Sequence, residues 1–450
     1  MQRHDVPLPL SFRADLLGRL LPSLRAGESC ALVGVSGVGK SNLARFLQRS
    51  DVQAHYWGNA RVWLVAVDTN GLVFDDLLPE YSLVELIIHR LIRAAEQHGL
   101  DNALVAEIDA LHARLVAQPS LQLAVRYLER ICGRICEGQG IQLVLMFDQF
   151  EDVWQRLDAR LFVNLRHLRD ELKYRLTYLV FTRERLQRSR NDLDAVESFW
   201  ELFGTHVFGL GMYNTQDAQA MLDRISQRRG VSLAPALRDA TLTLSGGHAG
   251  LMRAVFWTLL DGAAPTRPDD LAAIPPVAEE CGKIWQDLPP EEREWLLALA
   301  CGQTVPAGDQ ALRELRLKGL VAGEPPRLFA PVFEAFVYSQ GGMKQADAAG
   351  IVVRLKTREV FRDGQLLSTK LSPLEFKLLA FLARHTGSVC SRDDVLGELY
   401  GEQVLDVNDE RLDTLVRRLR AALGDNARQP RYLHTHRGVG YQLSEAHLVE

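Results

Sequence analysis

The amino-acid sequence predicts an α/β fold. A parallel sheet with a helical lid precedes an internal winged-helix unit and a carboxy-terminal α+β winged-helix unit. Three observations lead to this prediction. Short apolar runs alternate with helical segments over roughly the first 210 residues, which is typical of a parallel sheet covered on both faces. Helical segments then dominate up to residue 338, and strand patterns, three helices and a glycine-containing hairpin follow.

The predicted sheet has five strands, each a short apolar run bounded by turn residues. These runs cover residues 29–35, 60–68, 141–148, 176–182 and 205–210. Helices are predicted on either side of the first strand, at 12–27 and 40–50. A long helical tract, 82–137, separates the second and third strands. It either contains a sensor or consists of ordinary packing helices.

The region after the sheet is mostly helical. Residues 214–262 have a helical pattern, with Thr215 as the predicted N-cap of the first helix. Residues 281–338 contain two helical segments and then a strand-like segment, the order of a small winged-helix unit. Residues 339–350 are small and polar, which predicts a linker.

The last region, 351–450, begins with an alternating run in which Asp363-Gly364 predicts a hairpin turn. Three helical segments and a second hairpin follow. The helices are predicted at 372–385, 391–400 and 408–424, and the hairpin at 431–443. Strands around a three-helix set are typical of a winged helix.

A glycine-rich motif joins the first predicted strand to the next helix. It matches the P-loop pattern G-x-x-x-x-G-K-[ST] in its required strand–loop–helix context. Backbone N–H groups of such a loop point at phosphate oxygens, the lysine reaches the β- and γ-phosphates, and the hydroxyl can ligate Mg²⁺. We therefore expect ATP or ADP and Mg²⁺ as cofactors. The predicted nucleotide-binding residues are Gly34, Gly37, Gly39, Lys40, Ser41, Asn42 and, in the helical region, His248.

These motifs and patterns divide the chain into five predicted segments. They are a P-loop ATPase domain (1–212), a helical domain (213–280), an internal winged-helix domain (281–338), a linker (339–350) and a carboxy-terminal winged-helix domain (351–450).

Two carboxylates stand at or just after the end of the third predicted strand, in "LMFDQFEDVW". Asp148 ends the strand, and we expect it to hold the metal together with Ser41. Glu151 is expected to orient or deprotonate an attacking water, so both carboxylates are predicted to be catalytic. The alternatives are a strand-end cap for Asp148 and a first-turn helix charge for Glu151.

Two further residues extend the predicted site. Arg183 directly follows the fourth strand. In a P-loop sheet this strand lies beside the strand that ends at Asp148, so Arg183 is predicted to be catalytic at the γ-phosphate. The alternative is that Arg183 forms a surface salt bridge. His248, in "SGGHAGLMRAV", opens a helix of the helical domain. It is predicted to sense the nucleotide state, with a simple turn or cap as the alternative.

Together with "LVGVSGVGKSNL" and "YLVFTRERL", these segments resemble the STAND branch of the AAA+-related P-loop ATPases over about residues 12–338. The resemblance implies a switch that is compact with ADP, opens or oligomerises with ATP, and hydrolyses ATP slowly. It assigns the Walker A pair to Lys40 and Ser41, Walker B to Asp148 and Glu151, and the first sensor to Arg183. The chain departs from the family at Ala249, where proline usually follows Gly-Gly-His, and no long repeat array is visible.

Charge is distributed unevenly along the chain. Its 450 residues carry a net charge of −5, but residues 411–437 hold seven arginines and two acidic residues. A local excess of this kind in an acidic protein indicates a confined site for a polyanion. The six cysteines form no C-x-x-C pair, no apolar run reaches 18 residues, and the amino terminus lacks a signal-peptide core. We expect a cytoplasmic protein with buried, reduced thiols and no contact with a membrane.

The arginine-rich helix is predicted to have a buried face and a DNA-facing side. Its core residues recur at helical spacing: Leu412, Val416, Leu419 and Leu423. The predicted DNA-binding residues are Thr414, Arg417, Arg418 and Arg420 on this helix, and Arg437 at the tip of the final hairpin. Arginine can pair with guanine through two hydrogen bonds, whereas Arg420 is expected to contact phosphate. Arg437 is expected in a narrow minor groove, or in a structural salt bridge.

The order of helix, helix, arginine-rich helix and "RGVGYQL" hairpin resembles the OmpR/PhoB-type winged-helix DNA-binding domain over about 351–444. The resemblance implies that the third helix enters the major groove and that the hairpin tip reaches the adjacent minor groove. Leu415 stands where that family often has histidine, so base preference does not transfer. The P-loop region occupies the place of the receiver domain that usually precedes this module.

These features predict an ATP-controlled transcription regulator that binds double-stranded promoter DNA and forms a nucleotide-dependent homo-oligomer. A signal ligand or signal protein is a further expected partner. The alternative is an ATP-driven assembly ATPase of a defence or mobile-element system, tethered to DNA or protein by its winged helix. A third interpretation has the P-loop hold nucleotide without turnover.

Overall fold

The computed structural model describes most of the chain as two compact units, 1–336 and 337–450, each with its own hydrophobic core. The described residues are 7–72, 79–260, 267–303, 308–346, 350–355, 358–363, 365–367, 371–401 and 409–449. Within these ranges, no helix combines the length and the apolar character needed to cross a bilayer.

Five parallel strands form the central sheet of the first unit. They are β1 (Cys30–Val33), β2 (Val62–Asp68), β3 (Gln142–Asp148), β4 (Leu176–Thr182) and β5 (Val207–Gly209), in the order β2-β3-β4-β1-β5. Because parallel strands place their carboxyl ends at one edge, the segments that follow β1, β3 and β4 meet there. The predicted parallel sheet is confirmed, and β4 lies beside the strand that ends at Asp148.

Helices cover this sheet. They are α1 (Ala14–Arg25), α2 (Lys40–Leu47), α3 (Ser50–Trp57), α4 (Pro79–Gln97), α5 (Asn102–Ala117), α6 (Leu121–Gly133), α7 (Phe150–Arg156), α8 (Ala159–Glu171) and α9 (Glu197–Trp200). The tract 82–137 consists of α4 to α6 and a short π-helical turn at Arg134–Gly138. Its apolar side chains share one core with β2 and β3, so these helices cover the sheet.

The helix predicted over residues 40–50 is present from Lys40, but its predicted end is wrong. Helix α2 ends at Leu47, and α3 starts a new helix at Ser50. Arg49 between them has an extended backbone, with φ −69° and ψ 134°. Its guanidinium bonds to the Leu8 carbonyl oxygen at 2.5 Å and to Asp51 at 2.6 Å, and these contacts hold the break in place.

In the described part of the chain, a run of five helices comes directly after the sheet. They are α10 (Thr215–Arg229), α11 (Pro235–Ser245), α12 (Ala249–Leu260), α13 (Pro268–Ala272) and α14 (Pro275–Gln286). The predicted N-cap Thr215 is wrong by one residue. Asn214 has the extended backbone of a cap, and its side-chain oxygen accepts a hydrogen bond from the Asp217 N–H at 2.8 Å.

The segment after α14 contains α15 (Pro290–Ala300), α16 (Gln310–Leu317), an antiparallel pair of β6 (Val321–Ala322) and β7 (Arg327–Leu328), and α17 (Pro331–Ala346). The sequence predicts a strand-like segment over about 325–337, but only β7 is a strand. The residues from Pro331 form a helix because Val332, Phe333 and Val337 bury one helical face. Helix α17 continues into the stretch that the sequence suggests as a linker.

The second unit combines two small sheets with three helices. A four-stranded sheet contains β8 (Ile351–Arg354), β9 (Glu359–Arg362), β10 (Gln365–Leu366) and β14 (Ala446–Val449) in the order β10-β9-β8-β14. A three-stranded sheet contains β11 (Cys390–Ser391), β12 (Leu433–His436) and β13 (Gly440–Leu443) in the order β11-β13-β12. The helices are α18 (Pro373–Arg384), α19 (Arg392–Tyr400) and α20 (Asp409–Ala422). This mixed arrangement confirms the predicted winged helix.

The two predicted hairpins of this unit are present. Strands β9 and β10 pair antiparallel around Asp363, whose φ is 49°; Gly364 lies outside the described residues. Strands β12 and β13 pair antiparallel around residues 437–439. The predicted core residues of α20 are buried, namely Leu412, Val416, Leu419 and Leu423. Leu415 packs in the same core, with 8% of its surface exposed.

Candidate functional site

The loop between β1 and α2 has the strained turn that the glycine motif predicts. Gly39 precedes α2 with φ +108°, a conformation that side chains other than glycine rarely adopt. A Cβ atom at this position would also lie 2.5 Å from the Tyr213 hydroxyl oxygen. Tyr213 therefore packs directly on the loop, and its hydroxyl accepts a hydrogen bond from the side-chain amide of Asn42 at 3.2 Å.

Lys40 begins α2 and turns its ammonium group back onto the loop. Its Nζ donates to the carbonyl oxygens of Gly34 at 2.5 Å and Val35 at 3.2 Å. Burial lowers the pKa of Lys40, while the negative charges of Glu151 and Asp287 oppose that shift. The ammonium thus lies in a partly desolvated site lined by carboxylates, where a charge-assisted bond to phosphate is strong.

The carboxyl end of β3 brings the two predicted catalytic carboxylates to the same place. Asp148 ends the strand, Gln149 turns the chain with φ 57°, and Glu151 lies in the first turn of α7 with 6% of its surface exposed. The Oδ1 atom of Asp148 is buried and has no hydrogen-bond partner. A buried acceptor without a partner fits a metal-bound water or a metal at this position.

Ser41 and Asp148 line the same cavity, as a shared Mg²⁺ site requires. Among the described residues, no group of three or more His, Cys, Asp or Glu side chains is arranged to hold a metal. Two oxygen ligands supplemented by phosphate and water are the usual protein contribution to a nucleotide-bound Mg²⁺. The residues present therefore fit Mg²⁺ that arrives with a nucleotide.

Arg183, directly after β4, has 43% of its side chain exposed and bonds to two carboxylates. Its Nε donates to Glu151 at 3.3 Å and its Nη1 donates to Asp287 at 3.2 Å. Partial burial lowers the pKa of Arg183, but these two carboxylates outweigh it and raise the pKa. Both interpretations of Arg183 thus have a structural basis, because it makes salt bridges and also lines the cavity.

One cavity of about 670 Å³ collects most of the predicted nucleotide and catalytic residues. Its lining includes Gly37, Gly39, Lys40, Ser41, Asn42, Asp148, Glu151 and Arg183. Gly34 contributes its carbonyl to Lys40. A volume between about 300 and 1,000 Å³ is usual for a small-molecule site. The geometry therefore unites residues that lie far apart in the sequence.

The cavity also has a basic lining that the sequence analysis missed. Arg45, Arg224, Arg228, Arg253 and Lys283 contribute to it, from α2, α10, α12 and α14. The signal available in the sequence was the four-residue spacing of Arg224 and Arg228, which places both on one face of α10. Because seven Lys and Arg side chains line the cavity against four Asp and Glu side chains, the site favours a polyanionic ligand.

His248 is fully buried and contacts the loop instead of lining the cavity. Its Nε2 lies 2.9 Å from the Ser36 carbonyl oxygen, and its Nδ1 accepts a hydrogen bond from the Leu251 N–H at 3.1 Å. The proton therefore resides on Nε2 of a neutral ring. The backbone of the same turn also touches the loop, because the Gly250 N–H donates to the Gly37 carbonyl at 2.9 Å. A nucleotide-sensing role for His248 would act through this loop.

Acidification is expected to destabilise the first unit through His248. Burial lowers the pKa of His248 to about 4, below the unfolded value of about 6.5. As the pH falls, this histidine takes up a proton in the unfolded chain before it does so in the folded chain, and that uptake favours unfolding. The stability that the neutral His248 contributes is therefore fully present above pH 6.5 and is lost as the pH falls toward 4. We expect a loss of about 2 kcal/mol between pH 7 and pH 5. Urea unfolding followed by tryptophan fluorescence measures it, because all seven tryptophans lie in this unit.

The variant His248→Gln provides the comparison for this effect. It should retain the pH dependence that carboxylates produce and lose the part that the imidazole adds between pH 7 and pH 5. Identical pH profiles for the wild type and the variant would contradict the buried neutral histidine.

In the second unit, α20 presents a basic outer face. Arg417 and Arg418 are exposed, and Thr414 is half-buried beside them. Asp413 precedes them on the same helix and would repel phosphate if it were free. However, Asp413 accepts hydrogen bonds from the Tyr441 hydroxyl and, at 2.5 Å, from Arg392. The pairing leaves the face positive overall.

Arg420 connects α20 to the final hairpin. Its Nη2 donates to the Leu433 carbonyl oxygen at 2.8 Å and to the Thr435 hydroxyl at 2.9 Å. The guanidinium therefore fixes the hairpin against the helix. Phosphate contact by Arg420 stays a prediction, and the structure adds this positioning contact that the sequence did not reveal.

Arg437 lies in the three-residue turn between β12 and β13, and it is exposed together with Gly438 and Val439. The turn is closed by a hydrogen bond from the Val439 N–H to the His436 carbonyl at 3.0 Å. This geometry presents the Arg437 side chain at the tip of the hairpin, as the sequence predicts.

Comparisons with known proteins identify relatives of the carboxy-terminal region. Residues 367–443 match the family model described as "Transcriptional regulatory protein, C terminal". The regulatory protein VanR of Enterococcus faecium is 29% identical over 97 residues, and the alkaline phosphatase synthesis transcriptional regulatory protein PhoP of Bacillus subtilis is 36% identical over 91 residues. These matches cover 22% and 20% of this chain, and only 41% and 36% of the relatives' own lengths.

For the first unit, a Walker-type ATPase of Pyrococcus abyssi is similar with a TM-score of 0.46 and 16% identity, over 74% of this chain and 97% of that one. The chain thus joins an α/β unit, with five parallel strands and a P-loop sequence motif, to a winged-helix domain similar to the carboxy-terminal domains of transcriptional regulatory proteins.

Proposed function

We propose that the protein is an ATP-controlled transcription regulator. Its first unit binds Mg²⁺ with ATP or ADP and hydrolyses ATP slowly, as a switch. Its second unit binds double-stranded promoter DNA sequence-specifically, and the nucleotide state or a nucleotide-dependent homo-oligomer controls that binding. The observation that carries this proposal is the meeting of the P-loop, Asp148, Glu151 and Arg183 around one cation-lined cavity, in a chain that also contains a winged helix.

The cavity residues divide the proposed chemistry among themselves. Mg²⁺, when bound, neutralises charge on the transferring phosphate. Loop N–H groups and Lys40 bind phosphate oxygens, while Ser41 and Asp148 hold the metal. Glu151 orients or deprotonates the attacking water, and Arg183 stabilises charge at the terminal phosphate. One Glu151 oxygen accepts a hydrogen bond from Arg183 at 3.3 Å, so the other oxygen is the one available to the attacking water.

Retention of genomic DNA fragments by the purified full-length chain tests the proposal. We expect sequence-selective retention whose strength differs between ATP and ADP, each with Mg²⁺. The absence of selective retention under every nucleotide condition would refute DNA regulation. Selective retention that is identical with ATP, with ADP and without nucleotide would instead refute nucleotide control.

Two arginine substitutions are expected to weaken DNA binding in different ways. Arg417→Ala on the exposed face of α20 should reduce discrimination between bases by about 1–3 kcal/mol. Arg437→Ala should weaken binding mainly where the minor groove is narrow. Competition binding with operator variants measures both effects. Arg384→Ala, which removes a half-exposed arginine from α18, is the matched comparison and should leave base discrimination intact.

A further inference from the structure

Asp287 is an almost buried carboxylate bound to the phosphate-binding loop. It follows α14 directly, and 5% of its side chain is exposed. Its Oδ2 accepts a hydrogen bond from the Ser36 N–H at 2.6 Å, and its Oδ1 accepts one from Arg183 at 3.2 Å. A backbone N–H of a P-loop and an adjacent arginine are groups that bind anionic oxygens. In this structure, the Asp287 carboxylate accepts hydrogen bonds from both of these donors.

The groups around Asp287 are those that the proposed function assigns to the terminal phosphate. Arg183 bridges Asp287 and Glu151. The Lys40 ammonium also interacts electrostatically with both carboxylates. A γ-phosphate and Asp287 would thus compete for the same cations. Because both are anions, holding them side by side in a partly desolvated site is costly.

We propose that Asp287 is an internal competitor of the terminal phosphate, so that the site accepts ADP with Asp287 in place and must displace Asp287 to bind ATP. This inference rests on the proposed function and specifies how the same site is regulated. Asp287 is a specificity-determining residue: its carboxylate shifts the preference of the site toward the diphosphate.

Displacement of Asp287 would have consequences for the segment that follows. Three ion pairs connect the chain after Arg183 to α15, α16 and the end of α16: Arg185 to Glu314 at 2.8 Å, Arg188 to Glu292 at 3.0 Å, and Glu184 to Lys318 at 3.5 Å. A fourth, from Lys318 to Glu292 at 2.7 Å, joins the end of α16 to α15. Glu292 and Lys318 are buried, so loss of either partner from this network is unfavourable. Arg183 directly precedes Glu184, which belongs to this network. If Arg183 moved to bind the terminal phosphate, the Glu184 end of the network would be disturbed. The ion pairs connect the nucleotide site to the α15–α16 segment.

The test is the ratio of ATP to ADP affinity in the full-length chain. Asp287→Asn keeps the shape and the acceptor for Ser36 but removes the charge, and we expect it to raise ATP affinity relative to ADP roughly tenfold. Asp287→Glu restores the charge and should restore the wild-type preference. Glu279→Gln neutralises an exposed carboxylate on α14 and should change neither affinity.

An unchanged ATP to ADP ratio in Asp287→Asn, with nucleotide binding intact, would overturn the inference. Failure of the wild type to bind either nucleotide would instead overturn the proposed function, so the two failures are distinct. Hydrogen exchange of wild-type residues 183–188 and 310–318 gives a second readout that needs no variant. Exchange should be faster with ATP than with ADP, and equal exchange would also overturn the inference.

Discussion

Lys40→Ala is expected to reduce the affinity for ATP by at least about a hundredfold. The Lys40 ammonium lies on the glycine-rich loop, where its Nζ bonds to the Gly34 carbonyl oxygen. The site is partly desolvated, so water competes less with a phosphate oxygen for this cation. Isothermal calorimetry with ATP and with ADP measures the loss. A parallel loss of nucleotide-dependent DNA retention would link the cavity to the second unit.

Lys173→Ala is the matched variant for this experiment, because it removes an exposed lysine from the same unit. It should bind nucleotide as the wild type does. The thermal unfolding temperature of Lys40→Ala must also be compared with that of the wild type, because Lys40 lies among the carboxylates of Asp148, Glu151 and Asp287. Unchanged ATP affinity in a folded Lys40→Ala protein would show that the loop does not bind phosphate.

The strands and the glycine loop could be predicted because their causes are local. The run at 176–182 is apolar, short and bounded by turns, and β4 has these same limits. The motif around Gly39 specifies its own backbone, since a φ of +108° is one that residues other than glycine rarely adopt. Errors arose where tertiary contacts decide. The break at Arg49 depends on the Leu8 carbonyl, and the sequence gives no sign that these two residues meet.

The candidate site was predictable in its centre and not at its periphery. Lys40 and Asp148 belong to motifs that state their chemistry directly. Asp287, by contrast, has no motif, and it reaches Ser36 only because α14 packs against the loop from 251 positions away in the chain. The same holds for Arg420, whose contact with Leu433 depends on how the hairpin folds back on α20. Long-range packing of this kind leaves no periodic signal in a single sequence.

Gly440→Ala is expected to destabilise the second unit by about 3 kcal/mol, near the upper end of overpacking effects. Gly440 pairs with Ser391 where β13 crosses β11, and a Cβ atom added to it would lie 1.9 Å from the Cys390 carbonyl oxygen. The obstacle is backbone, which cannot rotate away as a flexible side chain would. The pairing of β11 with β13 must therefore open. The hairpin that carries Arg437 then loses its contact with β11.

Peptide-resolved hydrogen exchange measures this effect, because the tryptophans all lie in the first unit and do not report on β13. The amides of β11 and β13 should exchange much faster in Gly440→Ala, while those of the first unit keep their rates. Gly397→Ala in the middle of α19 is the matched glycine substitution, since its Cβ atom meets open space and alanine favours a helix. If both variants show the same exchange in β13, the close approach of β11 and β13 is incorrect. If only Gly440→Ala loses DNA affinity, the hairpin must be held against β11 for the winged helix to grip a duplex.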